Sequence, residues 1–132
     1  MPGLAALGDM EVSVESDRKH FQARIRSTQV QNYTVHELSR DDGLVITEYV
    51  SPDGKVFGVS WKGPVIPDLS KLLGSYFTEF RDGVRSQAGR RKAAVVHNSD
   101  LTVESGKRLR NFQGRAYVNS LLPSGVDQAV IQ

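Results

Sequence analysis

Three histidines, two acids and one basic cluster are the groups in this sequence whose chemistry would serve a reaction or a ligand. The histidines are His20, His36 and His97. A metal centre needs convergent ligands, commonly at HxH or HxxxH spacing, and neither spacing occurs. His36 and Glu37 are neighbours in a segment that reads as a strand, so their side chains point to opposite faces. His97 would approach His36 only if two distant hairpins pair. Glu37 and Glu48 fall on segments expected to be adjacent antiparallel strands, and a glycosidase wants two carboxyl groups roughly 5–10 Å apart in a cleft. Cross-strand acids of this kind are ordinarily solvated or balanced by cations such as Arg40 and Lys55. Neither GxSxG nor a phosphate-binding GxxxxGK[ST] or GxGxxG loop is present. The expectation is therefore a protein that is not an enzyme, with no catalytic residue, metal ligand or cofactor.

Charge offers a different chemistry. Nine Lys/Arg against three Asp/Glu lie between residues 81 and 115, although the whole chain carries only +2. Arg90, Arg91, Lys92, Lys107, Arg108 and Arg110 are the candidate anion-binding residues, with Arg115 in the same region. Phe112 and Tyr117 lie among them, as stacking aromatics would in a single-strand binder. The competing reading is a solvated sheet edge, where Lys and Arg discourage aggregation. Tyr33, Tyr49 and Trp61 would line a ligand groove, or else belong to the core; Trp61 beside Gly63-Pro64 reads as an anchor against the following helix.

These groups need elements to hold them. A helix is expected over 13–26, with Val14, Phe21 and Ile25 on one face. Strands are expected over 32–38, 44–50 and 56–62, separated by the turn signals Asp41-Asp42-Gly43 and Ser51-Pro52-Asp53-Gly54. Alternation along the third places Phe57, Val59 and Trp61 on one face. Pro67-Asp68 opens a helix whose Leu69, Leu72, Leu73, Tyr76, Phe77 and Phe80 follow an i, i+3, i+4 pattern, with Asp82-Gly83 as its stop. Residues 83–92 read as an exposed connection. Three further strands follow, over 93–97, 101–104 and 109–118, with Ser105-Gly106-Lys107 as a turn. The apolar tail 121–132 is expected to dock on the core. The order α-βββ-α-βββ implies an α+β fold, one antiparallel sheet with helices packed on one face. Residues 1–12 read as a loose terminus and 13–132 as a single domain.

The 132 residues contain no cysteine, which removes disulfides, thiol catalysis and cysteine-based metal sites together. No run approaches the roughly 18 apolar residues that would span a bilayer, so no transmembrane segment is expected.

Several residue strings carry a family signature. They are Tyr33-Thr34-Val35-His36-Glu37, Glu48-Tyr49-Val50-Ser51-Pro52-x-Gly54-x-Val56-Phe57, Trp61-x-Gly63-Pro64, Pro67-Asp68-Leu69, Leu72-Leu73-Gly74-x-Tyr76-Phe77 and Gly114-Arg115-Ala116-Tyr117-Val118. From about Leu7 to the C-terminus the chain resembles a family of small exported proteobacterial proteins of unknown function. The resemblance implies a periplasmic or secreted location. It makes Ala5-Ala6-Leu7-Gly8 look like the start of a mature segment, with Met1 an addition ahead of it. It carries no activity, cofactor or catalytic residue. The expectation is an exported, non-enzymatic binding or interaction domain whose partner is an envelope protein or an anionic surface. Nucleic acid is disfavoured by export. The alternative is a nucleic-acid or polyanion-binding module using the basic 81–115 region.

Overall fold

The computed structural model describes residues 7–8, 10, 13–85, 94–97, 100–109 and 111–132. Helix α1 (Ser13–Phe21) ends at Gln22, which adopts φ 53°. The Gln22 N–H donates to the Lys19 carbonyl at 3.2 Å and the Ala23 N–H to that of Arg18 at 3.0 Å, a left-handed cap. The helix therefore stops short of residue 26, and Ile25 belongs to a strand instead. That strand, β1 (Arg24–Val30), is absent from the sequence expectation. Its residues are exposed until Val30, so no polar/apolar alternation marks it.

Strands β2 (Tyr33–Ser39), β3 (Val45–Val50) and β4 (Val56–Gly63) form the expected antiparallel meander. Gly43 and Gly54 turn its two hairpins at φ 96° and 85°, where a side chain would strain the backbone. The chain then crosses over before returning as β5 (Ala94–His97), β6 (Leu101–Arg108) and β7 (Asn111–Val118). One seven-stranded sheet results, in the order β1-β2-β3-β4-β7-β6-β5, with every pairing antiparallel. Gly106-Lys107, expected as a turn, lies inside β6, and the reversal falls at Leu109 instead.

The expected single helix after Pro67 is broken into pieces. Asp68 caps α2 (Leu69–Leu72) by accepting from the Ser70 N–H at 3.2 Å. Gly74 takes φ 57°, outside the right-handed α-helical range, so the α-helix cannot continue through it. A 3-10 turn (Gly74–Tyr76) follows, and α3 (Phe77–Arg85) runs on through Asp82-Gly83. The element order is thus α-ββββ-αα-βββ, a mixed α+β architecture built on an antiparallel sheet.

Apolar side chains fill two clusters. Val14, Phe21, Leu72, Leu73 and Phe80 from the helices join Leu38, Ile46, Val59, Trp61, Val103 and Ala116 from the strands. Leu7, assigned by sequence to the loose terminus, is 1% exposed within this cluster, its N–H bonded to the Leu72 carbonyl. The second cluster holds Tyr49, Phe57, Tyr117 and Ile131, with Val126 and Val130 of the C-terminal tail packed against it. Phe57 does not share a face with Val59 and Trp61. The register shifts between Tyr49, paired with Gly58, and Val50, paired with Val56, so Phe57 is the additional residue of a β-bulge and joins the second cluster.

Candidate functional site

Strand register brings together residues far apart in sequence. Lys62 of β4 pairs with Gln113 of β7, which pairs with Gly106 of β6. One step along, Ser60 pairs with Arg115, which pairs with Glu104. Directly paired residues present their side chains to the same face, so these two rows form a polar floor across three strands.

The C-terminal tail walls that floor. Ser60 Oγ donates to the Gln132 carbonyl at 2.6 Å, and the Gln132 N–H donates to Tyr49 Oη at 3.3 Å. Arg115 holds the tail from below: its Nε donates to Glu104 Oε1 at 3.1 Å, and its Nη1 to the carbonyls of Gln128 at 3.0 Å and Ile131 at 3.2 Å. Its guanidinium also lies 5.5 Å from the Tyr117 ring centroid. Arg115 is therefore committed to structure. Beside it opens a cleft of about 700 Å³, lined by Lys62, Gly106, Lys107, Gln113 and Gln132 among others. Lys62, Lys107 and Gln113 are exposed at its rim. Lys107 Nζ stands 5.2 Å from the Phe112 ring centroid. Lys107 pairs with Phe112, one step from Gly106 and Gln113, so its side chain points to the opposite face of the sheet. The cleft thus presents the charge of one lysine, Lys62, beside Gln113. Such an arrangement can take an anionic or strongly polar group.

Of the anion-binding candidates, Lys107 lines this cleft without turning its charge into it, and Arg108 follows it at the end of β6. Arg90, Arg91, Lys92 and Arg110 lie outside the described residues. Lys62 was not among the candidates. Its contribution depends on the β4–β7 pairing, which joins segments some fifty residues apart and leaves no local pattern.

The titratable pairs do not assemble as the sequence allowed. Glu37 pairs with Thr47 while Glu48 pairs with His36, so the two acids face opposite sides of the sheet. His36 and His97 sit on β2 and β5, with four strands between them. Ser27 Oγ and His36 Nδ1 are 2.6 Å apart across β1 and β2. Glu48 is fully buried beside the His36 position. His20 Nε2 lies 3.6 Å from Asp68 Oδ2. The Asp68 carboxyl is held below the usual range, chiefly by the Ser70 hydroxyl, which donates to it at 2.6 Å. Desolvation pushes the Tyr76 hydroxyl above its ordinary value. Among the described residues no group of three or more His, Asp or Glu side chains is placed to hold a metal ion.

Of the aromatic candidates, Trp61 and Tyr49 are buried and Tyr33 is half-buried. Trp61 is 3% exposed in the cluster containing Leu72, Leu73 and Phe80, as its anchoring role requires. Tyr33, Tyr49 and Phe57 pack together with ring centroids 6.1–6.3 Å apart.

Among the described residues no helix is long and apolar enough to cross a membrane. Comparison with curated proteins and with solved structures gives no match. The family model described as Protein of unknown function (DUF2844) matches residues 3–131, and the chain belongs to that family.

Proposed function

We propose that this chain is an exported, non-enzymatic binding domain of the bacterial envelope, and that the cleft over β4, β7 and β6 seats its ligand. The observation that carries the reading is the cleft itself. A concavity of about 700 Å³ is floored by three paired strands and walled by a tail that Arg115, Ser60 and Tyr49 fasten from three sides. A seat preorganised in this way loses little entropy on binding. Lys62 makes an anionic group on the ligand or partner the natural complement, because Arg115 already faces Glu104. Export rests on the resemblance to exported proteins, and a cysteine-free chain is compatible with an oxidising compartment.

The test is a chemical-shift titration of the labelled protein with citrate, inorganic phosphate and a sulfated oligosaccharide. Saturable shifts at Lys62, Lys107 and Gln113 that vanish in Lys62→Ala support the reading. Shifts absent from all three residues with every probe sink it. Fractionation of cells carrying the native gene, with sequencing of the mature N-terminus, tests export separately.

A further inference from the structure

Leu109 occupies a position that is costly for leucine in two ways. It adopts φ 57°, a left-handed conformation that side chains of this kind resist. It is also 88% exposed, more than any other large hydrophobic residue among those described. Both costs arise at one place, the reversal between β6 and β7. The last pair of that hairpin is Arg108 with Asn111, and Leu109 opens the short reversal between them. Hairpin connections of this length ordinarily begin with Asn, Asp or Gly, which accept positive φ. Local energetics therefore do not explain the leucine. A contact outside the chain would.

The surroundings indicate what that contact is. The ladder of β4 on β7 ends at Phe112, and that of β5 on β6 ends at Ser105. Among the described residues, Arg108, Leu109 and Asn111 thus extend beyond the pairing of both flanking strands. The apex reads Lys107-Arg108-Leu109-Arg110, and no acidic residue occurs between Ser105 and Val118. An apolar side chain at the tip of a cationic projection matches a surface that is apolar beneath and anionic on top. A hydrated polyanion would use the cations and gain nothing from the leucine. We propose that the β6–β7 apex docks on an anionic lipid bilayer. Leu109 enters the boundary between headgroups and acyl chains, while the basic residues beside it in the sequence meet lipid phosphates. One leucine and three cations give weak, reversible attachment, sensitive to salt. This docking does not depend on the cleft or on export.

The experiment is co-sedimentation of the full chain with phosphatidylcholine vesicles, with and without one third phosphatidylglycerol. Binding to the anionic vesicles alone, falling as salt rises, is the expected result. Leu109→Asn then lowers the partition coefficient about tenfold, because the inserted side chain is lost. The same substitution raises the melting temperature, because asparagine tolerates the left-handed backbone. Loss of binding in that variant cannot be ascribed to misfolding. Leu109→Gly gives the same pair of changes. Lys62→Ala leaves vesicle binding intact, which separates this surface from the cleft. Failure to sediment with anionic vesicles at low salt overturns the proposal. So does binding that Leu109→Asn leaves undiminished, since it would assign the attraction to the cations alone and point to a soluble polyanion or nucleic acid.

Discussion

The Ile131 side chain stands where any side chain at Gly58 would have to go: a Cβ built on Gly58 falls inside Ile131 and within 2.9 Å of its Cγ1. Ile131 is itself fully buried, so the tail is fixed to the sheet by the absence of one methyl group. Gly58→Ala should cost about 1–3 kcal/mol, the range for overfilling a packed site. In an Ile131→Ala background the same substitution should be nearly free, and urea denaturation of the four proteins closes the cycle. Additive costs would show that the two residues do not compete for this space.

Arg115 tests whether the tail is a wall or an appendage. Its Nη1 serves two tail carbonyls while its Nε serves Glu104. Arg115→Met keeps the apolar stem and removes all three bonds, and should destabilise by about 1–3 kcal/mol. Hydrogen exchange should accelerate at the Ile131 and Gln132 amides, both hydrogen-bonded in the native protein, ahead of those in β3 and β4. Uniform acceleration across the sheet would contradict local release of the tail.

Gln22 closes α1 with φ 53°, a conformation that glycine reaches without the penalty of a Cβ. Gln22→Gly should raise stability by about 0.5–1 kcal/mol, read from thermal or urea unfolding. A lowered midpoint would mean the glutamine side chain supplies more than its backbone costs.

Asp68 links stability to pH. Its carboxyl is lowered first by the Ser70 hydroxyl, and burial opposes that shift in part. A carboxyl with a folded pKa below its unfolded value contributes stability that is fully present above the unfolded value. That stability is lost as pH falls through the folded one. Asp68→Ala should therefore cost about 1 kcal/mol near neutrality through loss of the α2 cap. The difference from the parent protein should begin to shrink as pH falls below the unfolded carboxyl's value of about 4, and close once pH has passed the lower folded value. A gap that is constant from neutral to acid pH would argue against an ionised cap.

Local chemistry made part of this legible. The β2–β4 meander could be read because Asp42-Gly43 and Asp53-Gly54 announce turns whose glycines do adopt positive φ. Docking of the tail could be read because Val126, Val130 and Ile131 are too apolar to remain in water. β1 could not, since an edge strand exposed from Arg24 to Gln29 has no pattern to display. The apolar period from Leu69 to Phe80 was genuine, yet the positive φ at Gly74 divides it. Alternation misplaced Phe57 because a bulge depends on the partner strand, which a single segment does not contain. For the same reason the cleft was only half visible. Lys107 stood out within a basic stretch, whereas Lys62 acquires its role from the facing Gln113.

The sheet order has a kinetic consequence. Four strands at the N-terminal end and three at the C-terminal end meet along a single ladder, from Gly58 with Tyr117 to Gly63 with Phe112. Each half can zip from its own hairpins, but this junction must close a long intervening loop before it is repaid by contacts. Gly58, Gly63 and Gly114 all lie on it, each leaving room for a group from elsewhere: Ile131, Leu44 and Trp61. The junction therefore works less like a glued edge than like a buckle, with a socket on the strands and tongues supplied by other parts of the chain. Disturbing those three contacts should slow the joining of two halves that are each already in shape.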